Sequence, residues 1–332
     1  MPDRNKTFTR RRLLYAGGGV AALGVGVGWW LTRSPSVKES EGWSEVASMP
    51  APRGEMKGAE LDGEVYVPGG LVGRGSSTDR LEKYDTDADE WTELEPMPEP
   101  RNHHATVAVD NRIFVLGGND DFGDPPQDDV FAYDPDADGW EERAPMPDGR
   151  WGNDAVEYEG RIYVVGGDYR DGPLDVLVYN PEDDEWERSA TIPTETEHTA
   201  VEAYNGEIWT VSGRWDFENI RDVSVYDPEG DEWREGTPVS MARSGAASAV
   251  LEDELHVAGG ENPDTSNGWV TDTHEVYDSE GEWRDAPPMP LPLHGCASVE
   301  HGGRMYVVGG AWRHGLQSVT AWSDRVFVFE PS

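Results

Sequence analysis

Residues 161–167 read Arg-Ile-Tyr-Val-Val-Gly-Gly, a short apolar run that ends in two glycines. The run is rich in β-branched and aromatic residues and follows the turn signal Glu159-Gly160, so it is predicted to be the second strand of a tight hairpin. Similar runs occur at 65–67, 113–116 and 305–308. One type of strand repeated along a chain predicts an internal repeat.

Glycine pairs set the length of this repeat. Five pairs occur, at Gly69-Gly70, Gly117-Gly118, Gly166-Gly167, Gly259-Gly260 and Gly309-Gly310, and Ser212-Gly213 fills the one gap and is counted with them. The six positions lie 48, 49, 46, 47 and 50 residues apart. A second marker keeps a similar step, namely Trp43, Trp91, Trp140, Trp186, Trp233 and Trp283. Between the markers lies a strand that ends in Tyr-Asp or Tyr-Asn, followed by an acidic turn. Each unit is therefore predicted to contain four strands, with the glycines allowing close backbone approach and each Trp packing against a neighbouring unit.

The order of strand, Gly-Gly, Tyr-Asp, Trp and then Pro-Met-Pro with a following arginine resembles the kelch repeat, as in 96–101 and 145–150. The resemblance covers residues 43–332 and implies an all-β, galactose-oxidase-like β-propeller of four-stranded blades. Six units imply six blades. The last unit ends near 326–331 without a Trp strand, whereas 43–46 is a Trp strand with no unit before it. We expect this N-terminal strand to complete the last blade and close the ring.

The net charge of the chain indicates the salt concentration in which the protein folds. The chain has a formal charge of −39, and the part after residue 33 holds 21 basic and 65 acidic residues, a charge of −44. Self-repulsion of this size is tolerable when molar salt shortens the Debye length to roughly 3 Å, so the sequence predicts a halophilic, haloarchaeon-like protein. The 14 Trp and the regular apolar runs argue against a disordered acidic chain. Nucleic acid is excluded as a partner because its phosphates would be repelled.

The N-terminus resembles a twin-arginine (Tat) export signal. Arg10-Arg11-Arg12 precedes the uncharged apolar stretch 13–31, which ends beside Trp29-Trp30. Nineteen residues are about enough to span a bilayer, so cleavage and retention as a membrane anchor both remain open. We therefore predict a signal or anchor at 1–33, a linker at 34–42 and the propeller at 43–332. The expected location is extracellular or at the cell surface, and we expect a monomer.

Strand parity predicts which loops carry function. In a four-stranded antiparallel blade, the loops before first strands and after second strands emerge on one face. These loops are irregular in length and place binding residues on a rigid scaffold. The ligand-binding candidates here are Arg53, Glu55, Arg74, Arg101, His103, Arg150, Trp151, Arg170, Glu197, His198, Arg214, Trp215, Arg243, Trp312 and Arg313.

Arginine and aromatic residues can fork onto carboxylates and stack on sugars, so this set favours a glycan or an anionic ligand. A structural reading stays open, since Arg53, Arg101, Arg150 and Arg243 belong to the kelch pattern and would brace neighbouring blades. His103 and His198 align in what are expected to be successive blades, and both would face the channel mouth. The long loops 261–273 and 311–325, with Trp269, Trp312 and Trp322, are expected to form a raised rim.

Two functions fit this architecture. The first is a recognition module for a protein or glycan; a purely structural, cell-surface scaffold is a separate reading, which differs in that the arginine-bearing face binds nothing specific. The second is an enzyme, a sugar mutarotase resembling the sialic acid epimerases, with Glu55, Glu197 or His198 as acid or base. A copper oxidase is disfavoured because Cys296, the single cysteine, lies in an apolar strand and is expected to be a buried structural thiol.

No cofactor and no metal site are predicted. The histidines show no metal-ligand pair at convincing spacing, and the acidic turns, such as 134–139, lack the spaced ligands of a calcium loop. The glycines at 17–19 belong to the export signal and not to a phosphate loop.

Overall fold

The computed structural model describes residues 35–121, 123–168, 174–262 and 270–331. By its internal contacts the chain divides into two units, residues 1–33 and 34–332. The predicted signal or anchor falls on the first unit, outside the described residues. Ser34, the first residue of the predicted linker, also lies outside the described residues. The described part contains no helix long and apolar enough to cross a membrane.

The described residues form strands and one short 3-10 helix. In chain order these are β1 (Trp43–Val46), β2 (Arg53–Gly54), β3 (Ala59–Leu61), β4 (Glu64–Pro68), β5 (Leu71–Val72), β6 (Ser76–Ser77), β7 (Leu81–Asp85), β8 (Glu90–Glu93), β9 (Ala105–Val109), β10 (Arg112–Leu116), β11 (Val130–Asp134), β12 (Gly139–Arg143), β13 (Trp151–Tyr158), β14 (Arg161–Asp168), β15 (Asp175–Asn180), β16 (Glu185–Thr191), β17 (Ala200–Tyr204), β18 (Glu207–Trp215), β19 (Glu218–Asp227), β20 (Glu232–Glu235), β21 (Ala247–Leu251), β22 (Glu254–Ala258), β23 (His274–Tyr277), β24 (Trp283–Ala286), β25 (Ala297–His301), β26 (Arg304–Val308), the 3-10 helix η1 (Gly315–Thr320) and β27 (Val326–Phe329).

Among the described residues these strands form six four-stranded antiparallel sheets and one small three-stranded sheet, β2-β5-β6. Five of the large sheets contain four strands of one repeat, as the sequence predicts. The sixth has the order β1-β27-β26-β25, with Trp43 opposite Phe329 and Val46 opposite Val326. The N-terminal strand thus pairs with the last strand of the chain, where the repeat count placed it.

The predicted hairpin turns have the backbone that their residues favour. At Asp62-Gly63 the two φ angles are 53° and 86°, and at Asn205-Gly206 they are 54° and 79°. Two successive positive φ values are the signature of the type I′ turn, whose twist matches that of paired strands. The first and second strands of each repeat are therefore joined by turns that only a few residue types adopt cheaply.

The glycine pairs join neighbouring sheets. A Cβ atom on Gly69 would lie 2.5 Å from the carbonyl oxygen of Arg101 in the next repeat, and the N–H of Gly70 donates to that same oxygen at 2.8 Å. The same contact recurs at Gly117-Gly118, where the acceptor is the carbonyl of Arg150. The prediction that these glycines permit close backbone approach is confirmed, because a side chain would occupy the space of the acceptor.

The tryptophans form the outer contacts between repeats. Each indole N–H donates to a backbone carbonyl of the preceding repeat, for example Trp91 to Ala47 at 2.9 Å and Trp283 to Thr237 at 2.7 Å. Trp43 likewise donates to Pro287 at 2.9 Å, which ties the N-terminal strand to the fifth repeat. The predicted packing of Trp against the neighbouring unit is confirmed. Cys296 is a free and buried thiol, also as predicted.

Candidate functional site

Six residues, one from the start of each repeat, make a closed ring of backbone hydrogen bonds. Each N–H donates to the carbonyl oxygen of the preceding member at 2.7 to 2.9 Å, and the chain of bonds returns to its origin. All six have positive φ angles, between 50° and 65°. We call this set the inner ring, and its members are Glu55, His103, Gly152, His198, Gly245 and Gly295.

Three members of the inner ring carry side chains, and these converge. Glu55 Oε2 lies 3.4 Å from His103 Nε2 and 3.8 Å from His198 Nε2. The two imidazole rings are 4.9 Å apart between centroids, in an edge-to-face arrangement. Their side chains are only 5–10% exposed. We call Glu55, His103 and His198 the central cluster, which borders a cavity of about 30 Å³.

The residue before each histidine of the inner ring places an oxygen atom beside the Nδ1 atom of that histidine. Asn102 Oδ1 makes a short contact with His103 Nδ1, and Glu197 Oε2 lies 3.3 Å from His198 Nδ1. An amide oxygen can only accept, so His103 carries its proton on Nδ1 and turns a lone pair on Nε2 toward Glu55. The neighbours thus orient both imidazoles toward the carboxylate.

A guanidinium and a third histidine complete the surroundings. Arg214 donates to Glu197 Oε1 at 2.6 Å and to Glu261 Oε2 at 3.3 Å. His294 Nδ1 lies 3.5 Å from Glu55 Oε1 and 3.3 Å from Glu261 Oε1, while its Nε2 contacts the carbonyl of Arg313 at 2.7 Å. Arg214 therefore pairs with two carboxylates, Glu197 and Glu261, while His294 lies between Glu261 and Glu55.

The electrostatics favour neutral imidazole and ionised carboxylate. Burial, helped by the nearby charges of His198 and Arg214, lowers the pKa of His103 well below its usual value. Burial alone would raise the pKa of Glu197, but His198 and Arg214 outweigh it and lower that pKa to about 2. The pKa of Glu261 is lowered in the same way, since His294 and Arg214 outweigh the effect of burial. At neutral pH the site holds charged carboxylates beside an uncharged His103.

Beside the central cluster lies a cavity of about 190 Å³ with one aromatic wall. Trp151 stands edge-on to His103 and His198, at 5.2 and 5.4 Å between ring centroids. We call this space the Trp151 pocket, and it is lined by Asn102, His103, Asn119, Gly123, Asp124, Pro126, Trp151 and Asp168. It combines an aromatic surface with amides and carboxylates, the mixture used for polyhydroxylated ligands.

A family model, the KLHDC2/KLHL20/DRC7 Kelch-repeats domain, matches residues 57–260, more than half of the chain. The chain belongs to the kelch-repeat family. A solved structure titled "Structure of YjhT" is similar, with a TM-score of 0.75 and 20% sequence identity over 86% of this chain and 97% of that one. No curated protein matches the sequence. The repeats are thus kelch repeats, their sheets are the blades of a β-propeller, and the structural match supports the fold alone.

The kelch arginines lie inside the blades. Arg53, Arg101, Arg150 and Arg243 have no exposed surface, so they do not line an accessible face as the ligand-binding prediction required. Arg53 pairs with Glu82 and Arg243 with Glu275, each at 2.7 Å. The guanidinium groups brace the third strand of their own blade. The sequence suggested instead that they brace the neighbouring blade. The main chain makes the link to the neighbour, through the carbonyl oxygens that accept from the glycine pairs.

The remaining candidates divide by position. Glu55, His103, His198, Glu197 and Arg214 meet at the inner ring, and Trp151 adjoins them. His103 and His198 do not come from successive blades, since the blade of Gly152 lies between theirs. Arg74 is exposed, away from the central cluster, whereas Trp215, Trp312 and Arg313 are half-buried.

The predicted rim is only partly described. Trp322 is 7% exposed and donates its indole N–H to the carbonyl of Gly73, so it packs inward and does not form part of a raised rim. Arg170 and Trp269 lie outside the described residues. Sequence reasoning missed Gly152, Gly245 and Gly295 as partners of the ring, and it missed Asn102 and Glu261 as supports of the cluster.

Proposed function

We propose that the protein is a carbohydrate-binding module that takes a sugar ring in the Trp151 pocket. The observation that carries this proposal is the position of Trp151, which walls a polar cavity directly beside the central cluster. At about 190 Å³ the cavity is smaller than the roughly 300–1,000 Å³ of drug-sized sites, which suits a ligand of one sugar ring. Trp offers such a ring a flat apolar surface, and the polar lining offers partners for its hydroxyls.

The ligand that we propose is neutral. Arg214, which contacts His198 in the central cluster, is paired with Glu197 and Glu261. The pocket itself contains Asp124 and Asp168. Among the described residues that line the pocket, the charged side chains are these two acids, which would repel a carboxylate on the ligand, so the anionic ligand suggested by the arginine count is disfavoured.

The scaffold that we propose is a closed propeller of six blades. Six large sheets, the pairing of β1 with β27 and the unbroken inner ring support this arrangement. We further propose that residues 1–33 direct export by the twin-arginine route, with cleavage or anchoring afterwards, and that the protein works as a monomer at the cell surface in strong salt. The N-terminal arginines and the charge of −39 support that setting.

Binding of neutral monosaccharides to the full chain in molar KCl, followed by isothermal titration calorimetry, tests the pocket. We expect millimolar to micromolar affinity for at least one neutral sugar, and a loss of about tenfold or more in Trp151→Ala, because stacked aromatic contacts contribute about 0.5–1.5 kcal/mol beyond their buried area. Phe217→Ala is the matched control, since Phe217 is 93% exposed and does not line the pocket.

Equal loss in Phe217→Ala, or binding that survives Trp151→Ala unchanged, contradicts the proposed pocket. If no sugar binds while a protein partner is captured in a Trp151-dependent manner, the face is a protein-binding surface and the glycan assignment fails.

A sugar mutarotase is the second candidate, and one observation favours it. His103 lines the Trp151 pocket and also contacts Glu55, so an uncharged imidazole and a carboxylate lie at the place where a bound sugar would expose its anomeric hydroxyl. One-dimensional NMR of freshly dissolved α-glucose measures the rate of anomer exchange directly. Acceleration by the protein that His103→Gln abolishes would support the enzyme; an unchanged rate leaves the binding module.

A further inference from the structure

We propose that the central cluster binds one divalent transition-metal ion of the Zn²⁺ class, with Glu55, His103 and His198 as its protein ligands. One donor atom from each residue lies within 4.8 Å of the other two. Two imidazoles and one carboxylate are the donor set of catalytic zinc sites and of the facial triads that hold Fe²⁺.

The separations fit a shared ion. Two donors that are each about 2.1 Å from a metal at a tetrahedral angle lie about 3.4 Å apart. Glu55 Oε2 and His103 Nε2 are 3.4 Å apart, and Glu55 Oε2 and His198 Nε2 are 3.8 Å apart. The third pair, one nitrogen from each imidazole, lies within 4.8 Å, so the histidine side chains have to move closer together to share the ion.

Acceptors of the kind found in the second shell of a histidine metal site lie beside both imidazoles, although only that of His103 makes a hydrogen bond. A metal-bound imidazole usually gives its other N–H to a carboxylate or carbonyl, which fixes its orientation. Asn102 Oδ1 contacts His103 Nδ1, and Glu197 Oε2 is 3.3 Å from His198 Nδ1. Both supports occupy the position immediately before the ring histidine, so the same backbone geometry aims both Nε2 atoms at Glu55.

The remaining coordination positions have room. The other members of the inner ring are glycines, and a Cβ atom on Gly295 would lie 2.7 Å from Glu55 Oε2, while one on Gly152 would lie 2.9 Å from His198 Nδ1. The cavity at the cluster, of about 30 Å³, accommodates one or two waters. Three protein ligands and an open side are the pattern of a catalytic or ligand-binding metal and not of a closed structural one.

Charge also favours a cation. Counted as formal charges, Glu55, Glu197 and Glu261 contribute −3 and Arg214 contributes +1, which gives −2 for these four side chains. A divalent ion cancels this excess. Arg214 NH2 lies 3.3 Å from His198 Nε2, so the ion has to replace that contact, while Arg214 keeps its two carboxylates.

The test is titration of the untagged, chelator-treated full chain in molar KCl with Zn²⁺ by calorimetry, and with Co²⁺ by visible absorption. We expect one ion per chain, an intense low-coordinate Co²⁺ spectrum, and no comparable binding of Mg²⁺ or Ca²⁺. Glu55→Gln, His103→Gln and His198→Gln should each weaken Zn²⁺ binding by more than about 100-fold, and Asn102→Ala by about 10- to 100-fold. His301→Gln is the control, because His301 pairs with Glu60 at 3.1 Å elsewhere on the surface.

Far-UV circular dichroism and metal-free melting curves show whether each variant folds, and the isosteric Glu55→Gln keeps the test decisive if a histidine variant does not. No Zn²⁺ or Co²⁺ binding by the wild type, or one-to-one binding that persists in Glu55→Gln, overturns the proposal. The assignment is independent of the sugar pocket: Trp151→Ala should lose sugar and keep Zn²⁺, and Glu55→Gln should lose Zn²⁺.

Discussion

The inner ring has two kinds of position on one backbone. Gly152, Gly245 and Gly295 fill three places, whereas Glu55, His103 and His198 fill the other three with the same left-handed conformation and the same hydrogen bonds. Residues other than glycine pay about 1–2 kcal/mol for that conformation. Glycine is sufficient at the three positions that contribute only backbone hydrogen bonds to the ring. The other three positions carry all the side chains of the ring that can bind a metal ion or a proton. Within the inner ring, the strained positions are therefore the ones that carry chemical side chains.

The largest expected effect tests whether the two kinds of position share one support. Arg53 lies two residues before Glu55, and Arg243 lies two residues before Gly245, each fully buried against one carboxylate. Removing one partner of a buried pair costs about 3–5 kcal/mol, because a charge is left without compensation. Arg53→Met and Arg243→Met should therefore lower the free energy of unfolding by similar amounts in urea titrations.

The double variant Arg243→Met/Glu275→Gln is the control, and it should recover much of the loss by neutralising the orphaned carboxylate. If only Arg53→Met lowers the free energy of unfolding, the buried arginine stabilises the Glu55 position and not the Gly245 position. The two kinds of ring position would then be held in place differently.

A smaller effect, about 3 kcal/mol, separates the two kinds of position by pH. The pKa of Glu197, beside His198, is lowered to about 2 in the folded protein, while an unfolded Glu titrates near about 4.3. Between these values the unfolded state binds more protons, so the stabilisation is complete above about pH 4.3 and is lost as the pH falls through 2. Unfolding of the wild type and Glu197→Gln from pH 7 to 2 measures this difference.

Glu197→Gln should be less stable at neutral pH and show a flatter acid limb. Glu187→Gln should instead follow the wild type, because Glu187 belongs to a surface pair with 71% of its side chain exposed. Parallel acid limbs for the wild type and Glu197→Gln would remove Glu197 as the origin of the acid sensitivity.

The smallest expected effect measures the free-energy cost of the positive φ angle at position 55. Glu55→Gly and Glu55→Ala both delete the carboxylate, but only glycine adopts a φ of 52° without strain. We expect the glycine variant to be more stable than the alanine variant by about 1 kcal/mol in metal-free thermal unfolding, the reverse of the order in an ordinary strand. An alanine variant that equals or exceeds the glycine variant would show that position 55 is not strained.

The kelch signature predicted the sheets because its glycines, tryptophans and turns are required by contacts that every blade makes. The ring was also present in the sequence: each member stands 14 residues before the first residue of a glycine pair, as Glu55 does before Gly69 and Gly295 before Gly309. Aligning the repeats on the glycines would have placed Glu55, His103 and His198 together. Aligning them on proline related only the two histidines.

Other features could not be read from the repeat pattern. Arginine in the kelch pattern has the same sequence signal whether its guanidinium is exposed or buried, and only packing shows that Arg101 and Arg150 are fully enclosed. Asn102 and Glu261 come from different blades and different loops, so their approach to the cluster depends on the radius of the ring. Trp322 lies in a long loop of the kind that often forms an exposed rim, but it packs against Leu71 instead.

The pairing of β1 with β27 also gives the molecule an unusual order of assembly. The two strands are separated by roughly 280 residues, yet they share a four-residue register. Their contact closes the longest loop in the fold. The entropic cost of closing a loop rises only with the logarithm of its length, so the long separation delays the pairing of β1 with β27 more than it destabilises the folded protein. Trp43 stays without its partner strand until the ribosome has added Phe329. We therefore expect this strand pair to form late in folding, and a circular permutant that joins the two ends and opens the chain between two other sheets to keep the pairing of β1 with β27.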